Sequence, residues 1–136
     1  AGIAALARAG VAAVLLPVAS FTLAQSPPPV AALRDAGVPL VVASDANPGT
    51  APTESLPLAL ALAVRAYGLS PDEALLAATR SAALSLGLAD RGVLREGARA
   101  DVVVWDLPHE HALVQPWGVR KTKTVLVEGV EVVSPS

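Results

Sequence analysis

The sequence predicts an α/β protein whose C-terminal segment is a smaller, mostly β part. Three observations carry this. Ala12–Leu16 and Leu40–Ala43 are short, unbroken apolar runs bounded by Gly and Pro, the pattern of strands buried on both faces of a parallel sheet. Helix signals follow each run, giving the order helix, strand, helix, strand, helix, helix, which reads as parallel α/β units. After Leu88 the pattern changes to short strands punctuated by Gly92, Gly97 and Glu128-Gly129. Residues 1–90 are expected to form the α/β part and residues 91–136 the β part.

The elements follow in order. Ile3–Ala9 reads as a helix end stopped by Gly10. Residues 17–29, rich in Pro, Ser and Thr, read as a loop. Val30–Ala36 reads as a short helix, started by Pro28 or Pro29 and stopped by Gly37. The strand Leu40–Ala43 runs into Ser44-Asp45, and residues 46–52 form a turn-rich loop with Asn47-Pro48-Gly49. Glu54–Tyr67 is a helix closed by Gly68, with Pro57 tolerable in its first turn. Ser70-Pro71-Asp72-Glu73 is a capping box opening a helix, or a pair broken near Thr79, that ends at Gly87. Val102–Trp105 is a strand, and Lys123–Val127 and Val130–Val133 pair as a hairpin across Glu128-Gly129.

Composition narrows the function. Ten Lys and Arg stand against 12 Asp and Glu, so no basic footprint for nucleic acid or anionic lipid exists. Cysteine is absent, which excludes disulfides, zinc–thiolate sites and thiol nucleophiles and suits a cytoplasmic chain. A signal peptide at residues 1–26 is opposed by Arg8 after an apolar stretch and by Pro17. A membrane span over residues 9–33 is opposed by Gly10, Pro17 and Pro27–Pro29. The chain starts inside a structured segment and is read as part of something longer.

Asp45 is the leading chemical candidate. It follows a buried strand directly, where α/β sheets build their sites. Its carboxylate can ligate a metal or take a proton from water, or it can simply cap the turn. Asn47 can donate and accept hydrogen bonds, Gly49 lets a ligand approach the backbone, and Thr50 adds a hydroxyl. The same residues also suit a plain tight turn. His109 and His111 have metal-like spacing but read as a solvated loop, since a catalytic zinc wants three protein ligands. Ser20 and Ser44 lack a base. Arg80 reads as a surface ion pair, and Arg120, Lys121 and Lys123 as a solvated edge strand. Trp105 and Trp117 read as packing residues.

Several stretches resemble a known family. Leu15-Leu16-Pro17, Gly37-Val38-Pro39, the run Ala43-Ser44-Asp45-Ala46-Asn47-Pro48-Gly49-Thr50, and Leu69-Ser70-Pro71-Asp72-Glu73-Ala74 are similar to the C-terminal part of imidazolonepropionases. The segment Gly92–Asp106 resembles a signature of the wider amidohydrolase superfamily. The resemblance implies the last units of a (β/α)8 metal-dependent amidohydrolase barrel, followed by C-terminal strands of a small β-sandwich. Such a barrel takes ~250 residues by itself, so this chain needs a missing N-terminal part.

The implied activity is metal-assisted hydrolysis of the ring C–N bond of 4-imidazolone-5-propanoate, giving N-formimidoyl-L-glutamate in histidine degradation. The implied cofactor is one divalent metal, zinc or iron, whose other ligands lie upstream of Ala1. Asp45 matches the metal-ligand position and would be catalytic. Asn47 and Gly49 match positions that hold the open-chain product, and Thr50 one that contacts the imidazolone. A small-molecule substrate is expected, with no nucleic acid and no membrane partner, and a homodimeric full-length parent. The chain alone is expected to be inactive. The rivals are another amidohydrolase such as a deaminase, and a non-catalytic stand-alone α/β module.

Overall fold

The computed structural model describes residues 2–115 and 117–133. The limits Ala1 and Ser136 of the two expected domains lie outside the described residues. Helix α1 (Gly2–Ala9) ends where Gly10 turns left-handed, with Val11 N–H donating back to the Leu6 carbonyl at 3.1 Å. Strand β1 (Ala13–Leu15) pairs in parallel with β2 (Leu40–Val42), Val14 opposite Val41. Because the pair is parallel, the carboxyl ends of both strands open on the same side. Leu15, Val41 and Val42 are buried, but Val14 is 55% exposed, so β1 is covered on one face only among the described residues.

The crossover between these strands corrects the expected loop. Pro17–Thr22 is a helix, α2. Pro17 sits at its first position, where the missing N–H costs nothing. Val18 and Ala19 are buried, and α2 packs on a later helix. Ser, Thr, Val and Phe are weak helix formers, so this tertiary contact outweighs local preference. Helix α3 (Val30–Asp35) returns the chain to β2 through Gly37.

Helix α4 (Leu56–Tyr67) is the centre of the core. Ser55 caps it, accepting from the Leu58 N–H at 3.3 Å. Five consecutive residues, Ala59 to Ala63, are buried, because α2, β2, helix α5 (Pro71–Ala78) and a later 3-10 turn surround it. Thr79, with φ −118° and ψ −87°, separates α5 from α6 (Arg80–Ser85).

The capping box of α5 forms as the sequence expects. Glu73 N–H donates to Ser70 Oγ at 3.1 Å, and Ser70 N–H donates to Glu73 Oε2 at 2.8 Å. Arg34 of α3 also binds Glu73, Nε to Oε1 at 2.6 Å. The Ser70 backbone bond first, and then Arg34, hold the Glu73 carboxyl below the usual carboxylate range. The folded chain therefore prefers the charged form. This stabilisation is complete above the unfolded value and is lost as pH falls through the lowered folded value. Glu73→Gln is expected to lower the thermal midpoint at pH 7 and to flatten its fall below about pH 5. A melt series from pH 7 to pH 3 on both chains checks this.

Strands β3 (Val102–Trp105), β4 (Thr122–Val127) and β5 (Val130–Val133) form an antiparallel sheet in that order. The hairpin tip places Glu128 at φ 54° and Gly129 at φ 80°, the turn that matches strand twist. Its tip docks on the preceding signature, since Glu128 N–H donates to Asp101 Oδ1 at 3.0 Å and Gly129 N–H to the Ala100 carbonyl at 2.9 Å. Arg99 Nε bonds the same carboxylate at 2.8–2.9 Å. The Glu128 amide, then Arg99, keep the Asp101 carboxyl below its ordinary range.

Two expectations are corrected here. β4 is the central strand, so Lys123 does not lie on an edge. His109, Glu110 and His111 are exposed, as the solvated reading expects, while the 3-10 turn Glu110–Val114 buries Ala112, Leu113 and Val114 just after them. Trp117 is 47% exposed, with the Arg65 guanidinium of α4 6.0 Å from its ring centroid, whereas Trp105 packs against the core. Leu113 and Val114 join the cluster built on Leu60, Leu62 and Val42, so one core runs across residue 90. No described helix is long and apolar enough to cross a membrane.

Candidate active site

The loop after β2 leaves from a buried anchor and returns to one. Val42 is 2% exposed, and Ala51, at the far end, is fully buried. Asn47 and Ala51 form an antiparallel bridge, the Asn47 N–H donating to the Ala51 carbonyl at 3.0 Å. Between these anchors Asp45 is exposed and left-handed at φ 53°. Few non-glycine residues adopt that conformation, and Asp and Asn do so more readily than most.

The Asn47 side chain organises everything in between. Its Oδ1 accepts the N–H of Gly49 at 2.9 Å and of Thr50 at 2.8 Å. Those two backbone groups can only donate, which sets the orientation of the amide. Its Nδ2 therefore faces the other way, donating to the Asp45 carbonyl, to Asp45 Oδ2 at 3.3 Å and to Thr50 Oγ1 at 3.2 Å. A Cβ on Gly49 would meet Asn47 Oδ1 at 3.3 Å, which is tight. Asp45, Asn47, Gly49 and Thr50 thus form one hydrogen-bonded unit at the carboxyl end of β2. Beside it lies an open cleft of about 440 Å³, walled by Asn47, Pro48, Thr53 and Glu54. Glu54 is a polar group of this cleft that pattern reading left inside a helix.

Asp45 could offer one carboxylate ligand to a divalent metal. The carboxylate is exposed, and only the long Asn47 bond occupies its oxygens among the described contacts. The histidines do not join it. His111 Nε2 lies 2.8 Å from Asp72 Oδ1 of α5, and the His109 and His111 rings stand perpendicular, 5.9 Å apart. Asp72, Glu110 and His111 bring ligand atoms within 4.8 Å of one another, all exposed, and Asp45 is not among them. No sequence pattern pairs Asp72 with His111, because 39 residues separate them. Among the described residues Arg80 makes no ion pair.

Comparison with known proteins follows the same lines. A family model described as the amidohydrolase family matches residues 3–132. The chain is 53% identical over 129 residues to the imidazolonepropionase of Ruegeria pomeroyi, covering 94% of this chain and 32% of that protein. It is 48% identical over 132 residues to the imidazolonepropionase of Aeromonas salmonicida, covering 96% and 32%. The chain therefore spans about a third of the length of these curated relatives. A variant atrazine chlorohydrolase from Arthrobacter aurescens, solved with zinc and atraton, superposes with TM-score 0.88 at 27% identity, covering 97% of this chain and 33% of that one. Guanine deaminase from E. coli superposes with TM-score 0.84 at 21% identity, covering 98% and 36%, a likeness of fold alone.

Proposed function

This chain belongs to the amidohydrolase family, and from that premise we propose that it is the C-terminal portion of an imidazolonepropionase. Residues 1–90 are the last units of a (β/α)8 barrel, and residues 91–136 are strands of its small β-sandwich. The reaction adds water across the ring C–N bond of 4-imidazolone-5-propanoate and gives N-formimidoyl-L-glutamate. One observation carries the reading. Identity stays at 53% over 129 residues against an imidazolonepropionase but drops to 21–29% against solved relatives of the same fold with other substrates. A shared substrate is the simplest reason for that difference, since fold alone needs far less identity.

Asp45 would supply one carboxylate ligand to a divalent metal, zinc or iron, at the carboxyl end of β2. When bound, that metal supplies the activation of the attacking water. Asn47 and Gly49 lie beside the open-chain product, and the Thr50 hydroxyl faces the imidazolone. A cytoplasmic, homodimeric parent goes with this reading.

The test uses the complete enzyme that the reading requires, this chain with an upstream barrel portion. Supplied with 4-imidazolone-5-propanoate, it should produce N-formimidoyl-L-glutamate and release no ammonia. Release of ammonia from guanine, with no ring opening, would replace this reading by a deaminase.

A further inference from the structure

We propose that Asp72, Glu110 and His111 form a separate divalent-metal site, and that the metal clasps the 3-10 turn Glu110–Val114 to helix α5. One imidazole and two carboxylates make a ligand set for zinc and its first-row neighbours. The inference does not depend on the role proposed for Asp45.

The elements that carry these side chains are fixed. Asp72 is the second residue of α5, whose first turn is held by the Ser70–Glu73 capping box. Glu110 and His111 open the 3-10 turn, which Leu113 and Val114 pin to the core. Both elements pack on α4. Three ligand atoms thus converge within 4.8 Å of one another from two rigid supports, which lowers the ordering cost of binding. His111 Nε2 already faces Asp72 Oδ1 at 2.8 Å. Nitrogen and oxygen ligands of a tetrahedral zinc sit about 3.3 Å apart. Small rotations of these exposed side chains therefore make room for the ion, with water completing its shell.

Charge points the same way. Among the described residues no Lys or Arg pairs with Asp72 or with the Glu110 carboxylate. Paired carboxylates elsewhere meet arginine: Glu73 meets Arg34, Asp90 meets Arg91 and Asp101 meets Arg99. An exposed Asp72–His111 pair is worth little by itself, and it leaves Glu110 directed at a like charge. A divalent cation between the two carboxylates turns that repulsion into attraction. The His109–His111 spacing suggests a different pair, but the fold gathers the carboxylates around His111 and stands the two rings perpendicular, 5.9 Å apart.

The test uses the complete enzyme, metal-loaded, dialysed and then titrated with zinc or with magnesium by calorimetry. Zinc should bind at one exchangeable site, with magnesium much weaker. Amide exchange should slow at Ala112 and Gln115, whose N–H groups close the turn. Asp72→Asn and His111→Ala should each weaken this binding at least about tenfold and leave turnover unchanged. Asp45→Asn should keep the site, so failure of the catalytic reading and failure of this one show separately. Absence of the zinc event overturns the proposal. So does an event that magnesium matches and His111→Ala leaves intact, the mark of loosely held counterions. An event lost in His109→Ala but kept in Asp72→Asn overturns it in favour of the histidine pair. Zinc bound with exchange in the turn unchanged overturns the clasp.

Discussion

Asp45→Asn in the complete enzyme is expected to remove activity and at least about 100-fold of zinc affinity, at the upper end of what even indirect partners of a metal contribute. The substitution is chosen to spare the fold. Asn tolerates the left-handed conformation of position 45 nearly as well as Asp. The lost oxygen charge is exposed and, among the described residues, accepts only one long bond, from Asn47 at 3.3 Å. The thermal midpoint should therefore stay within about 0.5 kcal/mol of wild type in stability terms. Zinc analysis after dialysis, turnover and a melt, made on the same preparation, read the three quantities. Undiminished zinc content and turnover would return Asp45 to the role of a turn cap.

Gly92→Ala is expected to cost about 2–5 kcal/mol, the sum of left-handed strain and overpacking against a rigid neighbour. Gly92 has φ +73°, and a Cβ there would lie 2.6 Å from the Thr79 carbonyl oxygen and 3.1 Å from Ala83 Cβ. The oxygen is backbone at the break between α5 and α6, so no side chain can swing aside. Gly68→Ala is the control. Gly68 has nearly the same φ, +72°, with nothing within 4 Å of the added methyl, so only the strain of about 1–2 kcal/mol remains. Denaturant midpoints of the two variants should differ by the overpacking alone. Equal midpoints would mean that the link at residue 92 does not seat against the α5–α6 break. A whole domain is stable by only about 5–15 kcal/mol, so this one methyl takes a large share. It also gives a physical reason for the glycine that opens the Gly92–Asp106 signature.

Much of this molecule is written locally. The Ser70 capping box, the Gly68 and Gly37 helix stops and the Glu128-Gly129 hairpin each depend on a few adjacent residues, and each formed where the pattern placed it. So did β2, and with it the position of Asp45 at a strand's carboxyl end. The Asn-Pro-Gly-Thr run announced a turn, though not that one amide would tie Asp45, Gly49 and Thr50 together.

Tertiary structure decided the rest. Helix α2 exists because Val18 and Ala19 find α4, against the weak propensity of their own segment. The 3-10 turn at 110–114 exists because Leu113 and Val114 find the same helix. His111 meets Asp72 and leaves Asp45 alone, and β4 takes the middle of its sheet, for similar reasons. Caps, turns and periodicity act over three or four residues, which a sequence displays directly. Which apolar face covers which is set by the shape of the whole core, and no local pattern contains that shape.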